Sequence, residues 1–190
     1  MFIFQWLFLF LSDVIFVTLG PIMVALALPF AKDDFSVSDH RVIRNLPKWA
    51  YFWGNDFDGS LGDKHGWWAA NTPFGWKVDS FMAQWWWLAI RNPANNMRMF
   101  SCWSAPVAGA TCSFKGDAAV ADSPGRGGWQ FVTFSYPDKF SRYGFYFVKQ
   151  LSATHAFAIR LGFKISPDLV GTDEQPKGYT FKINPAKNIG

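Results

Sequence analysis

The chain has 190 residues, half of them hydrophobic, with 11 Trp, 21 Phe, only 17% charged side chains and a formal net charge of +4. That is lean in charge for a surface wholly exposed to water, and the length accommodates one domain and an anchor rather than two domains. The charge is mildly basic without a Lys or Arg run, so it suits an anionic lipid surface and excludes the basic stripe expected of a nucleic-acid binder.

Residues 2–30, FIFQWLFLFLSDVIFVTLGPIMVALALPF, hold no basic residue and one acid, Asp13. At about 1.5 Å rise per residue such a helix can cross a hydrocarbon core of about 30 Å. A carboxylate at the bilayer centre costs at least about 2.5 kcal/mol. Two placements avoid that cost: a crossing helix over Val14–Phe30 with Asp13 at an interface, or a segment packed among protein with Asp13 paired or protonated. Gly20-Pro21 predicts a kink. Ala25-Leu26-Ala27 fits a signal-peptide cleavage site, but the basic stretch that normally opens a secretory signal is missing. Lys32, Arg41, Arg44 and Lys48 follow the segment, so the positive-inside rule expects the rest of the chain in the cytoplasm. Cys102 and Cys112 would then be reduced; in an oxidising compartment they can instead pair across a hairpin.

From Ala31 to Asn71 the text is broken by Pro47, Gly54, Gly59, Gly62 and Gly66, which predicts mostly loop. Within it, Asp56, Asp58 and Gly59 fall at the spacing of EF-hand positions three, five and six. Positions one and twelve would be Gly54 and His65, so a standard EF-hand is excluded. A looser calcium loop from Asn55, Asp56, Asp58 and Asp63 is the candidate metal site, set against Asx-type turns in which the same side chains bond the local backbone. Paired carboxylates can also hydrolyse glycosidic bonds, yet no nucleophile elbow, Walker loop or Cys-x-x-Cys accompanies them. No cofactor is expected beyond that calcium candidate, and His40, His65 and His155 lack ligand spacing.

Asp79–Arg91, DSFMAQWWWLAIR, reads as a helix capped by Asp79 or Ser80 and ended by Asn92-Pro93. Phe81, Trp85 and Leu88, with Met82 and Ala89, share one face. Trp85, Trp86 and Trp87 span about 200° at about 100° per residue, so at least one of them must meet a second apolar surface. From Met97 onward short alternating runs suggest strands. The clearest is Phe157–Ile165, where Phe157, Ile159, Leu161, Phe163 and Ile165 form the dry side and Ala158, Arg160, Gly162 and Lys164 the wet one. Tyr179–Ile183, Trp129–Tyr136 and Tyr143–Leu151 follow the same rule, and Met97–Ser104 with Ala110–Phe114 makes a weaker pair. Gly116–Gly128 reads as an exposed loop, and the short connections favour antiparallel pairing.

The fold class is therefore α+β: an N-terminal hydrophobic helix, a short aromatic helix, then an antiparallel sheet as a meander or small sandwich. The expected organisation is an anchor over 1–30, a loop-rich region 31–96 holding the helix 79–91, and a β region 97–190 packing with it as one domain. Leu46-Pro-Lys-Trp49, Asp56–Asp63, Arg91-Asn-Pro-Ala-Asn-Asn96 and Arg160-Leu-Gly-Phe-Lys164, in that order behind a hydrophobic amino terminus, resemble a family of small uncharacterised proteins of tailed bacteriophages. The resemblance implies a viral origin and carries no catalytic residues. The expected function is non-enzymatic binding at the host inner membrane. Trp6, Val14, Phe16, Ile22, Phe30, Phe81, Trp85, Trp86 and Trp87 would contact the lipid bilayer or a partner. The alternatives are a virion component, as part of an oligomer or packed against other virion subunits, and a carboxylate-dependent hydrolase.

Overall fold

A computed structural model describes residues 2–36, 41–55, 65–101, 103–107, 109–163 and 177–190. The architecture is α+β, a long N-terminal helix and short helices beside an antiparallel five-stranded sheet. The chain forms two compact units, residues 1–10 with 102–190 and residues 11–101. The first ten residues belong by contact to the distant β region, so the long helix contributes to both units.

That helix, α1, runs Phe2–Ala27 with Pro21 inside it. In the second unit α1 is followed by a 3-10 turn Leu28–Phe30 and a hairpin of β1 (Lys32–Ser36) and β2 (Arg41–Asn45). A 3-10 turn Lys48–Trp53 comes next, then α2 (His65–Asn71), α3 (Phe81–Trp86) and α4 (Asn95–Phe100). The hairpin is held by facing residues: Arg44 grips Asp33 through two bonds of 2.6 and 2.9 Å, and its guanidinium holds the Asp33 carboxyl below its ordinary range. Ser80 caps α3 by accepting from the Ala83 N–H, as its sequence suggests.

After α3 the helix widens over Trp87–Arg91 into i→i+5 bonding, with the Asn92 N–H reaching the Trp87 carbonyl at 3.0 Å. This turn distributes the three tryptophans. Trp87 is fully buried against Trp68, ring centres 4.9 Å apart, and Arg91 lies over both the Trp67 and Trp87 rings. Ala94 adopts a left-handed conformation (φ 51°) that turns the chain into α4. Asn96 is fully buried there and stitches α4 to the Lys48–Trp53 turn, its N–H to the Gly54 carbonyl and its Nδ2 to the Tyr51 carbonyl. The strand expected over Met97–Ser104 is therefore replaced at its start by a helix. Its residues answer to the Asn96 clamp rather than to a sheet ladder.

The first unit is a meander of β3 (Thr111–Gly116), β4 (Gly128–Ser135), β5 (Arg142–Gln150), β6 (His155–Phe163) and β7 (Tyr179–Asn188), in sequence order and antiparallel throughout. One face is covered by the 117–127 connection: Val120, Val148, Ala156, Ala158 and Ile189 form a core there with Tyr146 beside it. The expected sidedness of β6 holds at Phe163, which is buried, and fails along the rest of the strand. Ala156, Ala158 and Gly162 are buried, while Phe157, Ile159 and Leu161 are only half-buried. Ile165 and Lys164 lie outside the described residues. Alternation marks two faces but does not say which one meets the solvent.

Candidate membrane-facing surface

In the first unit, the start of α1 lies on the apolar sheet face. Register aligns two rows across four strands: Trp129, Phe147, Ile159 and Ile183, and next to it Phe131, Phe145, Leu161 and Phe181. Phe2 meets Phe131 and Tyr143 edge-on, and Phe10 meets Phe181 with ring centres 5.6 Å apart. Two side chains tie the helix to β5 and the turn before it, Gln5 Nε2 to the Ser141 carbonyl at 2.8 Å and Trp6 Nε1 to the Tyr143 carbonyl at 2.9 Å. Gly162 makes this seat possible. It holds φ at +77°, and a Cβ there would strike the Trp6 indole and the Tyr143 carbonyl.

The helix covers only part of this face. Ile3, Phe4 and Leu7 are exposed, an apolar groove runs between Ile3, Leu7 and Phe10 on the helix and Leu161, Phe181 and Ile183 on the sheet, and Ile183 is itself 65% exposed. Lys115 on β3, opposite Phe131, and Lys149 on β5, opposite Phe157, stand exposed on the same face by strand alternation. An apolar surface with a basic edge matches a bilayer whose headgroups are anionic.

In the second unit, α1 is again covered on one side and bare on the other. Arg98 clasps Asp13 at 2.6 and 3.0 Å in a half-buried ion pair. Trp53 Nε1 donates to the Phe16 carbonyl and Trp85 Nε1 to the Pro21 carbonyl, each at 2.8 Å. These bonds fall around Pro21, whose missing N–H loosens that stretch of the helix. On the bare side Leu11, Val14, Ile15, Leu19, Ile22 and Leu26 are exposed. Ile22 and Leu26 continue into Phe81, Met82 and Trp85, which line an open apolar groove.

The residues expected to make contact sort accordingly. Val14, Ile22, Phe30 and Phe81 are exposed. Trp6 and Phe16 are half-buried on the covered side, Phe16 packing on Phe52 and Trp53. Trp85 and Trp86 are also half-buried, Trp86 edge-on to Trp76. Trp87 is corrected: it is a core residue with no surface to offer. Of the face that Phe81 and Met82 share with Leu88 and Ala89, the Phe81 end is exposed and the Leu88 end buried. The second apolar surface that the Trp85–Trp87 run required is provided by α1 and α2 of the same unit. Ile3, Phe4, Leu7, Ile15 and Leu26 were missed because α1 is apolar all round. The signal that could have found them is the spacing of Gln5, Ser12, Asp13 and Gly20, which at about 100° per residue marks a single, covered side.

Of the candidate calcium ligands, Asp56, Asp58 and Asp63 lie outside the described residues, while Asn55 is buried and accepts from Asn95 Nδ2 at 3.2 Å. Among the described residues no group of three or more His, Cys, Asp or Glu side chains gathers to hold a metal. Cys112 is a free thiol, its pKa raised by burial, and Cys102 lies outside the described residues.

The buried face of the sheet holds a charge cluster. Asp122 receives Arg160 at 2.7 Å, Lys187 at 3.2 Å and the Tyr146 hydroxyl, and Arg160 also stacks over the Tyr146 ring. Burial raises the Asp122 pKa, but the Tyr146 bond and the two cations outweigh it and leave the carboxyl below its ordinary value. Tyr146, desolvated and bonded to the carboxylate, is pushed up to about 12. A cavity of about 130 Å³ adjoins the cluster. These partners satisfy one another and fasten the 117–127 connection to the strands.

A family of unknown function, DUF7338, matches residues 1–190. The protein is a member of DUF7338. No curated protein and no solved structure matches the chain. For this DUF7338 member, function has to be read from its surfaces. Phe2–Phe30 is long and apolar enough to cross a membrane, a property shared by signal sequences and buried core helices, and only 22% of its most apolar part is buried.

Proposed function

We propose that this protein is a non-enzymatic membrane-binding protein held at the bilayer by α1 and the apolar features of its two units. The observation that carries the reading is the bare side of α1. From Ile3 to Leu26 it presents large apolar side chains, while the polar residues Gln5 and Asp13 turn toward the folded protein. Burying each such side chain in an apolar phase is worth roughly 1.5–3 kcal/mol. The resemblance to tailed-phage proteins puts the membrane in an infected bacterium, and Lys32, Arg44 and Lys48 after α1 favour its cytoplasmic leaflet.

The test is flotation of the full chain with vesicles of phosphatidylcholine and phosphatidylglycerol. It should rise with the lipid, and an Ile15→Ser, Leu19→Ser, Ile22→Ser variant should stay behind. A wild-type chain that remains monomeric and lipid-free without detergent would overturn the reading. Co-sedimentation with lipid-free phage particles would replace it with a virion role.

A further inference from the structure

We infer that α1 lies in the plane of one leaflet and does not cross the bilayer, an inference that rests on the membrane-binding reading above. A crossing helix needs about 20 consecutive residues that the hydrocarbon can surround. No stretch of α1 approaching that length is free of hydrogen bonds to the rest of the protein. Gln5 and Trp6 are bonded to the backbone of Ser141 and Tyr143, Asp13 to Arg98, and the Phe16 and Pro21 carbonyls to Trp53 and Trp85.

Of these partners, the sheet backbone and the Arg98 guanidinium cannot follow the helix into the bilayer core. In the first unit they belong to an open five-stranded sheet with two edge strands, β3 and β7. Unpaired strand edges facing lipid leave backbone groups without partners, at several kcal/mol each. In the second unit the partner at Asp13 is a guanidinium, and next to α1's end stands a hairpin bearing Lys32, Asp33, Asp34 and Arg44. The sheet thus keeps residues 2–10 at the water boundary and Arg98 keeps Asp13 there, and the 14 residues of α1 beyond Asp13 span about 21 Å, short of a hydrocarbon core of about 30 Å. A helix held there at both places runs along the interface, with its bare side sunk about 5–10 Å past the headgroup level.

Most interfacial helices carry their own polar face. In α1 that face is supplied by the folded protein, which is why the sequence of α1 alone looks like a span.

Spin labels placed singly at Phe4, Leu11, Ile15, Ile22 and Leu26, in a Cys102→Ser, Cys112→Ser background, report immersion depth by oxygen accessibility. With protein made by cell-free synthesis beside preformed phosphatidylcholine and phosphatidylglycerol vesicles, all five labels should show the same shallow depth. A profile that deepens to the bilayer centre and rises again would overturn the in-plane geometry while leaving membrane binding intact. Failure of the unlabelled wild-type chain to float would overturn both. Protease-site tags at the two ends of the otherwise wild-type chain give a second readout: both should be cut by protease added outside the vesicles. Protection of one tag establishes a crossing.

Discussion

One face of the five-stranded sheet is mostly small or charged and buried or half-buried, with Phe134 and Tyr146 as its large side chains; the other is mostly large and apolar and half open, with Phe163 and Tyr179 buried at one end. Val132, Gly144, Gly162, Ala158 and Arg160 lie under the 117–127 connection, while Trp129, Phe147, Ile159 and Ile183 make a row across β4 to β7 that α1 leaves largely bare. In water this arrangement leaves apolar surface exposed, because Trp129 and Ile183 stand open and Phe147 and Ile159 are only half-buried. It becomes economical when the open face meets lipid. The buried face then needs only paired charges, which the Asp122 cluster provides. On the proposed reading, the comparison teaches that exposure follows the side with a lipid neighbour.

The strongest way to break the comparison is to spoil the contact where the apolar face meets α1. Gly162→Val places a Cβ against the Trp6 indole and the Tyr143 carbonyl, at a φ that a β-branched residue does not accept. It should cost roughly 3 kcal/mol or more and release the first turns of α1. Thermal unfolding together with loss of the Trp6 fluorescence environment measures it; a stable, unshifted variant would show that the seat is loose.

Next in size is the ion pair on α1. Arg98→Met leaves Asp13 half-buried without its partner and should destabilise the second unit by about 2–4 kcal/mol, whereas Asp13→Leu with Arg98→Met should recover most of that loss. Denaturant titration of the single and double variants decides it. A single variant no worse than the double would mean that the pair contributes only surface attraction.

Much of this was legible before the structure. The extent of α1, the cap at Ser80, and the four strands from Trp129 onward follow from hydropathy, capping and alternation. The burial of Ala156, Ala158 and Gly162 in β6 was not, because period-two alternation marks two faces without saying which is covered. The β1–β2 hairpin escaped notice because KDDFS and RVIRN are charged, and their pairing rests on a cross-strand Asp33–Arg44 grip that no periodicity reveals. Met97–Phe100 alternates like a strand, but it is governed by the Asn96 clamp and the left-handed turn at Ala94. The surface itself was hidden by excess: a helix apolar on every side names no face, and only Gln5, Ser12 and Asp13 record where protein covers it.

Exchanging side chains on the open face sharpens the comparison with a smaller effect. Ile183→Ser removes a side chain that is 65% exposed, so stability in detergent-free water should change by less than about 0.5 kcal/mol. Vesicle affinity should fall roughly tenfold, the equivalent of about 1.4 kcal/mol of lost apolar transfer. Lys182→Ser, the neighbour pointing to the other face, should leave affinity within about twofold, a difference read directly by flotation. Equal losses from both would mean that the sheet does not touch lipid through one face.

The smallest effect belongs to the buried face and is set by pH. Asp122 is held below its ordinary value by Tyr146, Arg160 and Lys187, which overcome the opposing effect of burial. A carboxyl whose folded pKa is depressed contributes stability that is complete above its unfolded value of about 3.9 and is lost as pH falls through the folded one. Between pH 7 and 5 the 117–127 connection should therefore stay fastened, and below about pH 4 it should loosen as the carboxylate is protonated and Arg160 and Lys187 lose their shared partner. Asp122→Asn should abolish this contribution to the acid dependence without changing vesicle affinity at neutral pH, because the cluster lies on the face away from the proposed lipid contact. Melting curves of both chains from pH 6 to 3 measure the first part, and flotation at pH 7 the second. If Asp122→Asn weakened binding at neutral pH, the charge cluster would contribute to the membrane contact and the two faces would not be independent.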